Sequence, residues 1–412
     1  MLPFLYIDPG TGSMLFSVII GLATTGYFVL KSLFVKFRFR LSGKPVGKID
    51  GRRYPFVAYC EGPQYWNVFR PVVDEFERRG IPLRYLTSSE NDPVLSGGFK
   101  NVSGEYIGAG NRAFARLNML ECDVCLMTTP GLDVYQLKRS RGVGHYSHLL
   151  HSVDDVTGYR LFGIDYYDSI LLSGEYQKDH VRRLEAQRGL PAKDLVVVGS
   201  TYLDVLAERA KGIAPEANRP FTVLVAPSWG QGAILTRYGE RLLDPLVATG
   251  YRVIVRPHPQ SRSSEAQTLK ALEARYRESE NVEWDYDRDN SGALSRADVM
   301  ISDFSSVIFD YCFIFDRPFV FANQDFDLRP YDASDIDEKP WKFRVLGEIG
   351  VELRESDFAR IKEVVEGAAA SAPLRDARAR ARDTAWQHRG ESASRIVDYL
   401  VAKRDSLVGT TL

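Results

Sequence analysis

Cysteine is scarce in this sequence, and the few residues present form no pattern typical of a disulfide-rich or zinc-binding protein. Cys60, Cys122, Cys125 and Cys312 each lie in or beside an apolar segment, which favours reduced, buried thiols. Cys122 and Cys125 form one C-x-x-C pair, but neither a second pair nor a histidine stands at zinc spacing. The sequence therefore predicts no metal site and no other cofactor.

An excess of charge of one sign is also lacking. The formal net charge is −1, so a globally basic nucleic-acid-binding protein is excluded. The composition, with 44% hydrophobic and 26% charged residues, is typical of a globular protein. The acidic residues between positions 325 and 338 lack the spacing of a calcium-binding loop, and we expect them to form a solvated loop.

Long apolar runs are missing from the chain except near its N-terminus. Residues 13–30 carry no charge, and together with the apolar residues 33–35 they reach the roughly 20 residues that cross a bilayer. Mostly basic charged residues follow up to Arg53, so the positive-inside rule predicts one transmembrane helix and a body in the cytoplasm. The basic run would hold this body against an anionic membrane surface. A hairpin or an interfacial segment is the alternative interpretation.

From residue 54 onwards, short apolar runs alternate with longer amphipathic runs, as is typical of parallel sheets covered by helices. The alternation lapses at residues 211–220, and a second series then begins. We predict an α/β fold with two doubly wound, Rossmann-type domains that face a cleft, preceded by one N-terminal transmembrane helix. The expected boundaries are 1–40 for the membrane anchor with its basic flank, 41–215 for the first domain, and 216–412 for the second domain with its C-terminal helices.

A polar turn in the second half has the features of an anion site. Residues 297–302 are a predicted strand, and Ser305 and Ser306 stand where the next helix begins. Free N–H groups, the helix dipole and two hydroxyls favour a bound anion there. Asp303 is either the cap of this helix or a partner that orients His258 or a donor hydroxyl. Simple helix capping is the alternative interpretation of the whole turn.

Arg256 and His258 lie in a second polar loop, RPHPQ, after the predicted strand 251–255. Arg256 can make bidentate bonds to a phosphate, and His258 can donate to a phosphate oxygen or protonate a leaving group. Pro257 and Pro259 restrict the backbone on both sides of the imidazole. We predict that this loop and residues 303–306 together bind a pyrophosphate, with a plain surface turn as the alternative.

Several segments of the second half resemble the CDP-glycerol glycerophosphotransferase family, whose members build teichoic-acid-type polymers on membrane-bound primers. They are VVVGSTYLD (196–204), VLVAPSWGQG (223–232), VIVRPHPQS (253–261), ADVMISDFSSVIFDY (297–311) and RGESASRIVDYL (389–400). The resemblance implies a GT-B fold, with the nucleotide-donor site in the second domain and the acceptor site in the first. It also implies CDP-glycerol as donor and a lipid-linked glycan or polymer as acceptor. Together with the predicted N-terminal helix, it leads us to expect a single-pass protein of the bacterial inner membrane with a cytoplasmic catalytic body.

These expected domain roles suggest a function for two further loops. Ser228, Trp229 and Gly230 follow the first predicted strand of the second domain, where a glycine-containing turn can approach the phosphates or ribose of the donor closely. Thr129 and Gly131 form the matching loop in the first domain and are predicted to line the acceptor side.

The acceptor hydroxyl needs a base, and the segment GVGHYSHLLHSVDD carries His145, His148 and His151. Members of the family have a catalytic histidine in an equivalent loop, in an HGTP-type motif that is absent here. We choose His151, because Asp154 or Asp155 in the adjoining polar turn could orient its ring. His148, on the acceptor side, comes second and His145 third. If the segment is a helix, His148 and His151 share one face and could form a structural pair instead.

We therefore predict a membrane-anchored enzyme that transfers glycerol phosphate from CDP-glycerol to a hydroxyl of a membrane-linked glycan or polyol-phosphate acceptor and releases CMP. One alternative is a GT-B glycosyltransferase that uses another nucleotide sugar, linked to CMP or UDP. A second alternative is a non-catalytic, membrane-tethered binding protein. The presence of Arg256, His258, Ser305 and Ser306 argues against this second alternative.

Overall fold

In the computed structural model of this protein, the two alternating series of the sequence become two parallel sheets. The structure describes residues 26, 53–214, 218–287, 289–322 and 327–409. Both sheets belong to one compact unit, which begins at Arg53.

The first sheet has seven strands in the order β3-β2-β1-β4-β5-β6-β7, and neighbouring strands are parallel throughout. Their bounds are β1 (Tyr54–Cys60), β2 (Leu83–Thr87), β3 (Val102–Tyr106), β4 (Cys122–Met127), β5 (Val143–Leu149), β6 (Ser169–Leu172) and β7 (Asp194–Val197). Because the strands are parallel, their carboxyl ends lie at one edge of the sheet, where the segments after β1, β4 and β5 are neighbours.

The second sheet has six parallel strands in the order β10-β9-β8-β11-β12-β13. Their bounds are β8 (Thr222–Val225), β9 (Arg252–Val255), β10 (Val282–Trp284), β11 (Val299–Ser302), β12 (Phe319–Ala322) and β13 (Val351–Leu353). The central strands β8 and β11 are buried at every position, because helices cover both faces of the sheet.

Helices lie between many of the strands. Some of them complete the two hydrophobic cores of the second sheet, and others pack into the cores of the first sheet. Those that connect strands of the first sheet or follow its last strand are α1 (Trp66–Arg79), α2 (Asn111–Leu117), α3 (Lys178–Arg188) and α4 (Thr201–Lys211). The later helices are α5 (Ile234–Tyr238), α6 (Glu240–Val247), α7 (Ser261–Ser264), α8 (Ala266–Arg275), α9 (Ser291–Arg296), α10 (Val307–Phe315), α11 (Trp341–Ile349), α12 (Ile361–Ala370), α13 (Ala372–Ala385) and α14 (Ser392–Gly409).

Helix α14 packs against the first sheet, although the sequence assigned all of residues 216–412 to the second domain. Its buried residues Ile396, Val397 and Leu400 belong to the same hydrophobic core as strand β1 and helix α1. After the last strand of the second sheet, the chain therefore crosses back to the first sheet, where the apolar face of α14 is buried.

The predicted membrane anchor falls almost entirely on residues that the structure does not describe. The predicted transmembrane helix and its basic flank lie outside the described residues, apart from Gly26 and Arg53. Among the helices that are described, none combines the length and the apolar composition that a membrane crossing requires.

An ion-pair cluster attaches the acidic segment near residue 332 to helix α3. Arg188 Nη1 lies 2.7 Å from Asp165 Oδ1, and Arg188 Nη2 lies 2.8 Å from Asp332 Oδ1 and 2.6 Å from Asp335 Oδ2. Asp332 is fully buried and also accepts a hydrogen bond from the N–H of Phe162. Burial raises the pKa of Asp332 to about 6, although Arg188 opposes the shift. The expectation of a solvated loop is therefore wrong for this part of the acidic segment.

Candidate active site

The three loops predicted to bind the donor follow strands that are neighbours in the second sheet. Strands β9, β8 and β11 are adjacent and parallel, so the loops 256–260, 226–233 and 303–306 leave the same edge. The N–H of Ser228 donates to Asp303 Oδ1 at 2.9 Å, and the ring centroids of Trp229 and His258 are 6.3 Å apart. The structure thus brings the loops with these predicted donor-side residues together.

Asp303 joins two of these loops through backbone hydrogen bonds. Its Oδ1 accepts from the N–H groups of Ser228 and Ser305, and its Oδ2 accepts from the N–H of Ile234 at 2.9 Å. Its side chain is fully buried, and this burial raises its pKa, although the three N–H donors oppose the shift. Both oxygens of Asp303 accept from backbone N–H groups. Asp303 therefore fixes the conformation of the loops that carry the residues predicted to bind the donor substrate, and it is a positioning residue.

Replacement of Asp303 by asparagine should therefore destabilise the second sheet and its loops together. One carboxylate oxygen becomes an NH₂ group that faces a backbone N–H, so a buried donor loses its acceptor. We expect the free energy of unfolding to fall by about 2–4 kcal/mol, measured by urea denaturation. The exposed Asp337→Asn is the control, and a loss equal to that of the control would contradict this role.

His258 is positioned so that one ring nitrogen is available as a donor. The N–H of Gln260 donates to His258 Nδ1 at 3.1 Å, so in the neutral ring the proton lies on Nε2. Burial lowers the pKa of His258, and the carboxylate of Glu265 only partly opposes this. The neutral imidazole is therefore the dominant form near pH 7, with Nε2–H free to donate to a ligand.

Arg256 is engaged by other residues of the protein. Its Nη1 pairs with the carboxylate of Asp285, and its Nη2 donates to the carbonyl of Asp287 at 2.7 Å. The two paired side chains are 12% and 7% exposed, so their charges compensate each other away from solvent. In this arrangement Arg256 holds the segment after β10 against the end of β9, and its contact with a donor phosphate stays a prediction.

Ser306 connects the second sheet to the segment that follows β5 in the first. Its hydroxyl does not cap helix α10, but donates to Asp154 Oδ2. Lys342 Nζ lies 3.3 Å from Ser306 Oγ and 3.3 Å from Asp154 Oδ1. A hydroxyl, an ammonium group and a carboxylate therefore meet where the carboxyl edges of the two sheets come together.

The next residue, Asp155, binds the N-terminus of helix α11. Its two carboxylate oxygens accept from the N–H groups of Trp341 and Lys342, each at 2.8 Å. Neither Asp154 nor Asp155 is hydrogen-bonded to the ring of His151 in the described part of the chain. Asp154 Oδ2 accepts from the hydroxyls of Ser306 and Ser152, and Asp155 Oδ1, besides its bond to α11, lies 3.5 Å from His180 Nδ1. The expectation that one of them orients this ring through a hydrogen bond is not met.

His151 is oriented by a tyrosine. Its Nδ1 lies 3.4 Å from the hydroxyl of Tyr159, and its ring also contacts Tyr65 edge-on with centroids 5.4 Å apart. The same Tyr159 hydroxyl lies 3.0 Å from Nε2 of His148. If the tyrosine donates to His148 and accepts from Nδ1 of His151, Nε2 of His151 keeps a free lone pair, as a base requires.

The three histidines differ in their location, in their hydrogen-bond partners and in how far burial lowers their pKa values. His148 is fully buried on β5, and burial lowers its pKa to about 3. His145, on the same strand, lies 2.9 Å from Ser169 Oγ and 3.2 Å from the hydroxyl of Tyr399 on α14, and burial lowers its pKa to about 4. Since this segment is a strand, the helical pairing of His148 with His151 does not apply. His151, beyond the strand end, is the histidine whose loop reaches the second sheet.

The family assignment follows from comparison of the sequence with known families. Residues 172–402, more than half of the chain, match the family described as CDP-glycerol:poly(glycerophosphate) glycerophosphotransferase. This chain belongs to that family. A search of curated proteins finds no match. As a member of the glycerophosphotransferase family, the protein is a transferase.

Solved structures show the same fold at low sequence identity. The wall teichoic acid polymerase TagF superposes with a TM-score of 0.54 at 13% identity, over 85% of this chain and 89% of that chain. A UDP-GlcNAc 2-epimerase from Methanocaldococcus jannaschii gives a TM-score of 0.57 at 12% identity, over 85% of this chain and 100% of that chain. These similarities establish an α/β fold of the GT-B type for this chain.

The loop predicted to line the acceptor side lies beside the histidine loop. Thr129 and Gly131 follow β4, which is the neighbour of β5. The carbonyl of Thr129 accepts from the hydroxyl of Tyr167, and Gly131, with φ at 79°, donates its N–H to Gly163 at 2.7 Å. The positive φ explains the glycine, because other residues rarely adopt it.

Sequence reasoning missed two residues of the candidate site. Tyr159 lies between His148 and His151, and nothing in its sequence context marks it. The sequence marks Lys342 only weakly. A lysine in the first turn of a helix interacts unfavourably with the helix dipole unless an anion lies nearby. Pro340 precedes that helix, so its start could have been recognised.

Proposed function

We propose that this protein transfers glycerol phosphate from CDP-glycerol to a hydroxyl of a membrane-linked glycan or polyol-phosphate acceptor and releases CMP. One observation carries the proposal. The loop with His151 contacts, through Asp154, the residue Ser306 at the helix start that suits a donor phosphate. This contact supports the proposal that a base in the first half and an anion site in the second half serve one reaction.

The reaction needs one proton acceptor and several groups that stabilise charge. The acceptor oxygen attacks the phosphorus that carries glycerol, its proton passes to Nε2 of His151, and the bond from that phosphorus to the bridging oxygen breaks. CMP leaves with the bridging oxygen, to which Nε2–H of His258 donates a hydrogen bond. Positioning and neutralisation of phosphate charge supply most of the catalysis in such transfers.

The remaining predicted residues take supporting roles in this proposal. Ser305 and Ser306 bind the donor phosphates at the start of α10. The loop of Ser228, Trp229 and Gly230 lies against the nucleotide. Trp229 is 51% exposed beside His258, which suits a ring that stacks on a base or ribose. Arg256 keeps its predicted role towards the donor. Three residues line the acceptor side in this proposal, namely His148, Thr129 and Gly131.

The membrane anchor is part of the same proposal. An acceptor that is linked to a lipid stays at the membrane surface, so an enzyme held there by an N-terminal helix would meet it more often. The basic flank after residue 30 supports a catalytic body on the cytoplasmic side of the inner membrane, next to anionic headgroups.

A turnover assay tests the proposal. The 412-residue chain is incubated with CDP-glycerol and a synthetic lipid-linked primer, while CMP release and glycerol phosphate in the primer are both measured. We expect CMP release that depends on the primer, and a higher melting temperature with CDP than with UDP. Stabilisation by UDP without primer-dependent CMP release would favour a nucleotide-sugar transferase. The absence of any nucleotide effect would favour a binding protein.

A further inference from the structure

The contact between Asp154 and Ser306 places a carboxylate in the position that the donor phosphate is expected to occupy. Ser306 is the last residue before helix α10, which has nine residues, and its hydroxyl makes no capping hydrogen bond. It donates instead to Asp154 Oδ2. A carboxylate and a phosphate accept the same kinds of hydrogen bond, so the group that binds one can bind the other.

Lys342 adds a positive charge to this position. It is the second residue of helix α11, where the positive end of the helix dipole disfavours a cation. Its side chain is only 15% exposed, and its Nζ is 3.3 Å from both Ser306 Oγ and Asp154 Oδ1. An ammonium group and a hydroxyl that converge on one anion, as Lys342 and Ser306 do here, are the groups that typically bind a phosphate.

Asp154 fills this position incompletely. Its buried Oδ1 has no hydrogen-bond partner among the described residues and is held only by the ion pair with Lys342. Although burial acts to raise its pKa, Lys342 and Ser306 hold the pKa of this carboxyl below its usual range, so it is charged at neutral pH. A phosphate group has more acceptor oxygens than a carboxylate and would satisfy the same donors more fully.

We propose that Ser306 and Lys342 form a binding site for a phosphate of the donor, and that the Asp154 carboxylate occupies this site until a donor displaces it. The proposal rests on the proposed function and adds to it Lys342 as a donor-binding residue and Asp154 as an internal competitor. Asp155 keeps its bonds to the N–H groups of Trp341 and Lys342. The loop therefore stays attached to α11 while Asp154 moves away.

Binding of inorganic pyrophosphate and of CDP, measured by isothermal titration calorimetry at constant ionic strength, tests this inference with the 412-residue chain. Lys342→Met should weaken the binding of both ligands by roughly tenfold or more, as expected for the loss of one charge-assisted hydrogen bond. Lys339→Met removes the same charge from an exposed position three residues earlier, and should change binding by less than about twofold. Equal behaviour of the two variants would overturn the role of Lys342.

Asp154→Asn provides the opposite change. It removes the competing negative charge with little change in shape, so pyrophosphate binding should tighten by about tenfold. The exposed Asp337→Asn controls for the change in net charge. Binding by Asp154→Asn that is weaker than or equal to that of the unmodified chain would overturn the competitor role. Lys342→Gln serves as a second variant if Lys342→Met does not fold, as judged by circular dichroism.

Failure of this inference and failure of the proposed function have different signatures. If the unmodified chain turns over CDP-glycerol but Lys342→Met and Asp154→Asn bind pyrophosphate as it does, the inference fails and the function stands. If CDP-glycerol is not a substrate but the two variants shift pyrophosphate binding in opposite directions, the phosphate site stands and the donor is another nucleotide.

Discussion

Replacement of His151 by alanine is expected to lower kcat for glycerol phosphate transfer by about 10²–10⁴-fold, the range that general bases contribute. Binding of CDP-glycerol should stay within about twofold of the unmodified chain, since the imidazole acts on the acceptor hydroxyl and not on the donor. Transfer is measured as primer-dependent CMP release, and donor binding by calorimetry. Near-normal turnover would rule out His151 as the base.

The pH dependence of this reaction offers a separate check. A base acts only when it is unprotonated, and burial lowers the pKa of His151 from 6.5, although the charge of Asp154 opposes the shift. The acid limb of the kcat/KM profile should therefore lie below pH 6.5, with the rate falling as pH decreases through the pKa of the histidine. An acid limb above this value would contradict the assignment.

Tyr159→Phe is the matched variant for the orientation of His151. It removes the hydroxyl that lies 3.4 Å from Nδ1 of His151 but keeps the ring. We expect a loss of kcat by roughly tenfold, smaller than that of His151→Ala, because the base remains but its ring is less well oriented. A Tyr159→Phe variant with unchanged kcat and pH profile would show that the tyrosine only packs against the ring.

Replacement of His258 by alanine is the second change with a large expected effect. We expect kcat/KM for CDP-glycerol to fall by about 10²–10³-fold, as when one donor to a developing negative charge is removed. The Nδ1 atom already accepts from the N–H of Gln260, so in the proposed mechanism Nε2–H is the group that donates to the donor substrate. The loss should affect kcat more than KM, because charge on the leaving oxygen grows in the transition state.

His258→Gln separates two roles of this residue. A glutamine amide can donate a hydrogen bond from nearly the same place as Nε2, but it cannot transfer a proton. Because burial lowers the pKa of His258, the ring is neutral near pH 7, and the proposed mechanism uses it as a hydrogen-bond donor. We therefore expect His258→Gln to retain at least about tenfold more activity than His258→Ala. Equal loss in both variants would contradict the donor role and indicate general-acid catalysis.

The clustering of the polar loops in the second half could be predicted because it depends on local order in the chain. An apolar strand followed by a polar turn and a helix start is visible in the sequence at residues 297–311. Parallel strands bring their carboxyl ends to one edge, so the loops of His258, Ser228 and Asp303 were expected together and are found together. The same reasoning could not show that Arg256 pairs with Asp285, because a guanidinium that suits a phosphate suits a carboxylate equally well.

The sequence alone determined the α/β class, the two parallel sheets and the edge at which polar loops gather, since alternation of apolar runs and strand-end turns are properties of neighbouring residues. Only the tertiary structure decided which of those polar groups meet. Asp154 and Ser306 are 152 positions apart, and helix α14 returns to the first sheet from the far end of the chain. Such contacts depend on how distant parts of the chain pack against each other, and no short sequence pattern encodes that packing.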